Sequence, residues 1–194
     1  ILHVIQRLSE GGAARAMMAT AAGSAAVGAF EHRIVSLGDV VDGAARSALS
    51  SRLAVIAAPS SSVLEHEIGD ADIVQIHFWN TPELLDFMRA FERPSRLLLW
   101  SHVPGDASPH TLPAEFIEWA DVTVVATPYS YTLPVFSALD EETRRRRTAV
   151  VLDSADFARL GVKVKELPAM QRKLLITDGV FSMDGTIAKL ENMK

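Results

Sequence analysis

A histidine follows directly after an apolar run in this chain, at a position where a side chain can contact a ligand. Residues 96–101 include Leu97, Leu98, Leu99 and Trp100, and His102 comes next, before Pro104 and Gly105 end the run. Such a run predicts a buried strand of a parallel sheet. His102 would then lie at the carboxyl end of the strand, where open α/β sheets bind their ligands. The alternative is a histidine that only caps its strand.

Two consecutive glycines, Gly11 and Gly12, separate the predicted first strand, residues 2–8, from the predicted first helix, residues 13–28. Glycines allow a ligand to approach the backbone, and the N–H groups that begin a helix favour anions. The third glycine of a dinucleotide fingerprint and the lysine of a P-loop are both missing. A plain tight turn is the alternative.

Polar and aromatic residues also follow two other predicted strands, at residues 72–77 and 122–126. The carboxyl ends of parallel strands share one edge, so these residues are expected to meet His102 and the glycine pair in one crevice. The predicted crevice residues are His77, Asn80, His102, Gly105, Thr127 and Tyr129. The spacing predicts no metal site and no Ser-His-Asp triad. The other histidines, His3, His32, His66 and His110, are expected at the surface or in the core.

The elements that must position these residues alternate along the chain. Apolar runs of strand length alternate with helical segments, such as the one that Thr81 and Pro82 begin. This alternation predicts an α/β fold, a Rossmann-like parallel sheet with helices on both faces and right-handed crossovers.

Composition narrows the class of protein. The 194 residues are 48% hydrophobic and 22% charged, which is typical of a globular domain. A net charge of −5 gives no electrostatic reason to expect nucleic acid as a partner. The absence of cysteine excludes disulfides and cysteine nucleophiles, and it agrees with the cytoplasmic location that we expect. The Ala-rich segment 13–30 is too weakly apolar to predict a membrane span, and no basic leader precedes Ile1.

Two charged segments have simple structural interpretations. Asp70 and Asp72 are expected in a loop between a helix and a strand, although a metal-binding Asp-x-Asp motif has the same spacing. The basic run Arg144 to Arg147 is expected at a solvated helix end, with Glu141 and Glu142 within helical reach. Contact with an anionic lipid or phosphate is the alternative for this run.

Residues 1–160 resemble the N-terminal, acceptor-side domain of GT-B glycosyltransferases of the retaining family 4 type. The matching segments are HVIQRLSEGGAARAM, ADIVQIHFWN, LLLWSHVPG, EWADVTVVATPYS and TAVVLDSADFARL. The resemblance implies transfer of a sugar from a nucleotide-sugar donor to a hydroxyl acceptor, without a further cofactor. It implies that His102 contacts the transferred sugar and that the Asn80 and Tyr129 loops shape the acceptor pocket. The glycine loop near the donor diphosphate would comprise Gly11, Gly12 and Ala13.

The resemblance does not extend to the second, donor-binding domain of that family, so we expect the chain to need such a domain for activity. Residues 161–194 are instead expected to be an atypical tail or fused fragment. Within them, RKLLITDGVFSMDGTIAKL resembles the α-oxoamine synthases, pyridoxal-phosphate enzymes in which Ser182 would lie beside the cofactor. The family's aspartate and Schiff-base lysine have no match here. A fragment of such an enzyme and a non-catalytic α/β scaffold are therefore the two alternatives to a glycosyltransferase half.

Overall fold

The computed structural model describes residues 1–28, 30–90, 96–108 and 110–151, together with the backbone of residues 180–181 and 186–187. The strands are β1 (Leu2–Ile5), β2 (Arg33–Ser36), β3 (Ala54–Ala57), β4 (Val74–Phe78), β5 (Leu97–Ser101), β6 (Val122–Val125), β7 (Thr148–Val150), β8 (Val180–Phe181) and β9 (Thr186–Ile187). The helices are α1 (Gly12–Ala26), α2 (Asp42–Ser50), α3 (Ser61–Gly69), α4 (Pro82–Ala90), α5 (Ala114–Trp119), α6 (Pro134–Ser137) and α7 (Glu141–Arg147), with a 3-10 helix at Pro128–Thr132.

The first seven strands form one sheet in the order β3-β2-β1-β4-β5-β6-β7. Every pairing in it is parallel, including Ile5 opposite His77 and His77 opposite Trp100. The carboxyl ends of these strands consequently lie along one edge of the sheet. The predicted Rossmann-like parallel architecture is confirmed. The strands β8 and β9 form a separate antiparallel pair.

Helices cover both faces of the sheet, because side chains alternate along each strand. On one face, Leu2 and Val4 of β1 belong to an apolar cluster with Leu64 of α3, Leu84 of α4 and other residues of α5 and α6. On the other face, Ile5 packs in a second cluster that includes buried residues of α1 and α2. The alanine-rich sequence of α1 suits this position, since small side chains let a helix approach a sheet closely.

The structure differs from the sequence predictions in local boundaries. The strand predicted over residues 2–8 ends at Ile5, and Leu8 forms an isolated bridge with Val40. After β6 the chain forms the 3-10 helix and then the four-residue α6 instead of one longer helix. Pro134 explains the break, because proline lacks an N–H and is favoured at the first position of a new helix.

Two other predictions concern the ends of the described part. The basic run lies in α7, and the Asp140 side chain caps that helix by accepting a 2.8 Å hydrogen bond from the Thr143 N–H. The predicted tail, residues 161–194, lies outside the described residues apart from the β8–β9 backbone.

Within the described residues, no helix combines the length and the apolar content needed to cross a bilayer.

Candidate functional site

The candidate site is the edge of the sheet formed by the carboxyl ends of β1, β4, β5 and β6. The loop after β5 turns sharply: the Ser101 hydroxyl donates to the Val103 carbonyl at 2.9 Å, and Gly105 adopts a φ of +87°. A side chain at position 105 would be strained at that φ, and its Cβ would lie 2.9 Å from Leu112 Cδ1. The Ser130 hydroxyl donates to the Pro104 carbonyl at 2.8 Å and so ties the loop after β6 to the loop after β5.

Two predicted site histidines meet directly at this edge. His77 Nδ1 and His102 Nε2 lie 2.7 Å apart, a hydrogen-bond distance, and both side chains are fully buried. The rings of His102 and Trp100 also pack together, with centroids 4.8 Å apart and an angle of 23° between their planes. His102 is therefore part of a packed group of side chains rather than an isolated cap on its strand.

The structure adds two histidines that the sequence analysis assigned only to the surface or core. His3 of β1 lies next to His77, with 3.0 Å between His3 Nδ1 and His77 Nε2. His32, just before β2, lies next to His3, with 2.8 Å between His32 Nδ1 and His3 Nε2. We call these four residues (His32, His3, His77 and His102) the histidine row. The signal that could have found the row is strand order, β2-β1-β4-β5, because all four histidines lie on these neighbouring strands or directly beside one of them.

Burial keeps the inner rings of the histidine row neutral. Burial is the main cause that lowers the pKa of His3 from 6.5 to about 3, with the neighbouring His32 adding to it. Burial also holds the pKa of His77 well below 6.5, assisted by His102 and His3 on either side. The pKa of His32 is lowered for the same primary reason. A neutral imidazole has one donor and one acceptor nitrogen, so each ring can both donate to and accept from its neighbours.

The glycine pair begins α1 as predicted. Gly11 is the N-cap residue with extended backbone, and its carbonyl accepts the first helical hydrogen bond from the Arg15 N–H at 3.1 Å. Both glycines are exposed, Ala13 is half-buried, and a Cβ at Gly12 would meet no atom within 4 Å. The first turn of α1 contains no acidic residue. The open approach and the exposed helix start suit an anionic group.

Asn80 lies at a separate cavity of about 530 Å³, on the opposite side of the sheet from the histidine row. Phe78, one residue after His77, points into this cavity, because neighbouring residues of a strand face opposite sides. Its described walls include Phe116 and Trp119, with Asn80, Arg89 and Glu115 as polar groups. Nearby, the rings of Trp79 and His110 lie 4.1 Å apart, and His110 Nδ1 accepts from the Asn80 N–H at 3.4 Å.

The loop after β6 carries the last two predicted residues. The Thr127 hydroxyl accepts a 3.2 Å hydrogen bond from the Tyr129 N–H and so begins the 3-10 helix. Thr127 is buried, whereas the Tyr129 side chain is 48% exposed. The structure thus brings His77 and His102 into contact, places Asn80 at its own cavity, and leaves Tyr129 accessible at the same edge.

Two further predictions concern cofactor and metal sites. Ser182, the residue predicted beside pyridoxal phosphate, lies outside the described residues. In the part of the chain that the structure describes, no group of three or more histidine, aspartate or glutamate side chains is arranged to hold a metal ion.

Comparisons with known proteins agree with the fold. No protein-family profile matches the sequence, and no curated protein does so. Among solved structures, the chain is similar to HepE from Anabaena, which was crystallised in complex with UDP. The two chains superpose with a TM-score of 0.51 at 12% sequence identity, over 84% of this chain and 49% of HepE. At that identity the likeness shows the fold alone, and this chain spans about half the length of HepE.

Proposed function

We propose that this chain is the acceptor-binding half of a GT-B glycosyltransferase, which transfers a sugar from a nucleotide-sugar donor to a hydroxyl group. The observation that carries the proposal is the match between most of this chain and about half of a protein that binds UDP. The sequence resemblance to family 4 glycosyltransferases over residues 1–160 supports the same function independently. In such an enzyme the second half of the fold would bind most of the donor.

The start of α1 is the proposed contact for the donor diphosphate. Transfer leaves a negatively charged nucleoside diphosphate, and fixed N–H groups stabilise such a developing charge. Gly11 and Gly12 are exposed and Ala13 is half-buried at the N-terminus of a 15-residue helix that has no acidic residue in its first turn. His102 is the proposed contact for the transferred sugar, since it lies on the same edge of the sheet.

The cavity beside Asn80 is the proposed acceptor pocket. Aromatic rings pack well against the apolar faces of sugars, and Phe116 and Trp119 are half-buried in its wall. The amide of Asn80 can both donate and accept hydrogen bonds to hydroxyl groups. An apolar pocket with a few polar groups is typical of small-molecule sites.

The test uses the protein encoded by the whole reading frame and measures release of nucleoside diphosphate from UDP-, GDP- and ADP-sugars. We expect turnover that depends on an added hydroxyl acceptor. Asn80→Ala should raise the KM for the acceptor, because binding loses its hydrogen bonds, whereas His66→Ala on the exposed face of α3 serves as the matched control. Absence of transfer with every donor, in a protein that is folded, would leave the non-catalytic scaffold as the better description.

The same assay tests His102. Its replacement by alanine should lower turnover by about a hundredfold, the scale on which removal of one stabilising hydrogen-bond donor acts. Because His102 is buried, thermal melting of the variant must show that it remains folded. Unchanged turnover in a folded His102→Ala protein would remove this residue from the site.

We also propose that the exposed arginines of α7 contact anionic lipid. Arg147 donates to the carbonyls of Glu118 and Ala120, and Arg144 lies over the Tyr131 ring at 5.6 Å, so both belong to the fold. Arg145 and Arg146 are exposed. Sedimentation with phosphatidylserine vesicles should decrease in Arg145→Glu/Arg146→Glu if these side chains hold the protein at a membrane. Equal sedimentation of both proteins would exclude that role.

A further inference from the structure

The hydrogen bonds of the histidine row all have the same polarity. Starting at His32, Nδ1 of each ring faces Nε2 of the next, with distances of 2.8, 3.0 and 2.7 Å. The ring centroids are 5.1, 5.3 and 5.1 Å apart, with interplanar angles of 18°, 33° and 18°. Since the nitrogens are much closer than the centroids, the rings meet edge to edge. The row is a continuous series of N–H···N hydrogen bonds that spans four neighbouring strands, from His32 just before β2 to His102 just after β5.

This polarity couples the tautomers of the four rings. A neutral imidazole carries a single proton, on Nδ1 or on Nε2. If His32 carries it on Nδ1, that nitrogen donates to His3 Nε2, so His3 must carry its own proton on Nδ1, and the same holds along the row. If any ring is protonated on Nε2 instead, the others must follow. A mixed arrangement would place two protons, or none, between one pair of nitrogens.

We propose that the histidine row is a proton relay, which connects the cavity beside His32 with His102 at the carboxyl edge of the sheet. A proton that binds His32 Nε2 allows His32 Nδ1–H to transfer its proton to His3 Nε2. His3 then passes its Nδ1 proton to His77, and His77 passes its own to His102 Nε2. His102 finally passes its Nδ1 proton to a basic group or water molecule at the carboxyl edge of the sheet, so one proton enters, one leaves, and every ring changes tautomer.

The two ends of the row suit this function. His32 is 6% exposed, and its Nε2 has no hydrogen-bond partner among the residues that the structure describes. The ring lines a cavity of about 440 Å³ together with the charged residues Glu31, Arg33 and Arg52. Nε2 itself is buried, so under the proposal a proton from water in this cavity reaches it through small movements of the ring. At the other end, His102 is fully buried and uses Nε2 for His77, so its Nδ1 is the nitrogen on the side away from the row.

The lowered pKa values of His3 and His77 agree with the relay, which is itself argued from the hydrogen-bond geometry. A proton can move along the row only if each ring keeps one unprotonated nitrogen, and burial keeps His3 and His77 neutral at ordinary pH. The relay itself does not depend on sugar transfer, and it is measured without any substrate.

The first measurement is NMR of the protein labelled with ¹⁵N-histidine. Long-range ¹H–¹⁵N correlations identify the protonated nitrogen of each ring. We expect the four rings of the row to share one tautomer and to show ¹⁵N–¹⁵N couplings across all three hydrogen bonds. Mixed tautomers within the row would overturn the proposal.

The second measurement is hydrogen exchange of the ring N–H groups of His3 and His77. In a static core these protons exchange only when β1 and β4 open, at the rate of the neighbouring backbone amides. A relay lets them exchange much faster. His32→Asn keeps a side chain that can hydrogen-bond to His3 but cannot pass a proton, so we expect it to slow this exchange by about tenfold or more. His66→Asn, at an exposed histidine outside the row, should leave it unchanged.

Ring protons that exchange together with the strand amides in the unmodified protein would overturn the relay. Equal ring exchange in His32→Asn and the unmodified protein would also overturn it, provided that backbone spectra show the variant to be folded. These outcomes are separate from the proposed function, since a protein without transfer activity can still show relayed exchange.

Discussion

The two faces of the sheet are both buried at β4 but differ in the chemistry of their side chains. Ile76 and His77 are neighbours in β4, each 1% exposed, and they point to opposite faces. The face of Ile76 is a continuous apolar cluster that extends from Leu2 to Phe136. The face of His77 carries the histidine row and Trp100, beside a smaller apolar cluster around Ile5. The degree of burial alone therefore does not distinguish a face that only stabilises the fold from a face whose side chains can transfer protons or bind a ligand.

This difference predicts different responses to conditions. Hydrocarbon burial stabilises through the removal of apolar surface from water, which does not depend on pH. Buried imidazoles contribute only while they remain neutral and hydrogen-bonded, since a charged ring in this environment would be desolvated. The apolar face should therefore contribute the same free energy of unfolding at every pH. The histidine face should cause the free energy of unfolding to depend on pH.

The largest expected effect is loss of stability in acid. In the unfolded chain histidines take up protons below pH 6.5, whereas folded His3 does so only near pH 3, and burial also holds the pKa of His77 well below 6.5. The stabilisation is thus complete above pH 6.5 and declines as the pH falls toward 3. These two groups together give a slope of about 3 kcal/mol per pH unit. Urea unfolding at several pH values measures it, and a flat profile between about pH 7 and pH 5 would contradict the neutral row.

A truncation on the apolar face should be nearly as costly but independent of pH. Ile76→Ala removes buried methyl and methylene groups from the cluster around Leu2 and Phe78, so we expect a loss of about 2–5 kcal/mol. The difference from the unmodified protein should be the same at pH 7.5 and at pH 5.5, because no titrating group is changed. If the difference varied strongly with pH, the two faces would not be energetically separate.

His77→Leu is the matched change on the other face and should cost a similar free energy of unfolding at neutral pH. It leaves His3 Nδ1 and His102 Nε2 without the partner that each has now, at a cost of about 1–3 kcal/mol per buried polar group. It also removes one group with a lowered pKa, so the pH profile should become flatter. Unfolding measured at pH 7.5 and pH 5.5 should therefore show a smaller deficit in acid. A deficit that grows in acid would mean that His77 is charged in the folded protein.

The apolar face could be predicted from the sequence, and the histidine face only in part. Runs such as Leu97–Ser101 predict buried strands because hydrophobic periodicity is local information. His77 and His102 were predicted to meet because both end strands of a parallel sheet. The contacts of His3 and His32 could not be predicted in the same way. They depend on β1 lying between β2 and β4, and they join histidines that are offset along neighbouring strands rather than directly opposite one another. The hydrophobic periodicity of a sequence does not reveal the order of the strands in a sheet or the register between them.

The smallest expected effect concerns Trp100, which packs against both His77 and His102. Within the described part of the chain, its indole Nε1 is buried without a hydrogen-bond partner, an arrangement that costs free energy. Trp100→Phe removes that unpaired N–H but also leaves a small void, and a void in the core costs free energy as well. The two changes oppose each other, so we expect stability to change by no more than about 1 kcal/mol. A loss as large as that of Ile76→Ala would show that the indole N–H has a partner and belongs to the polar network of this face.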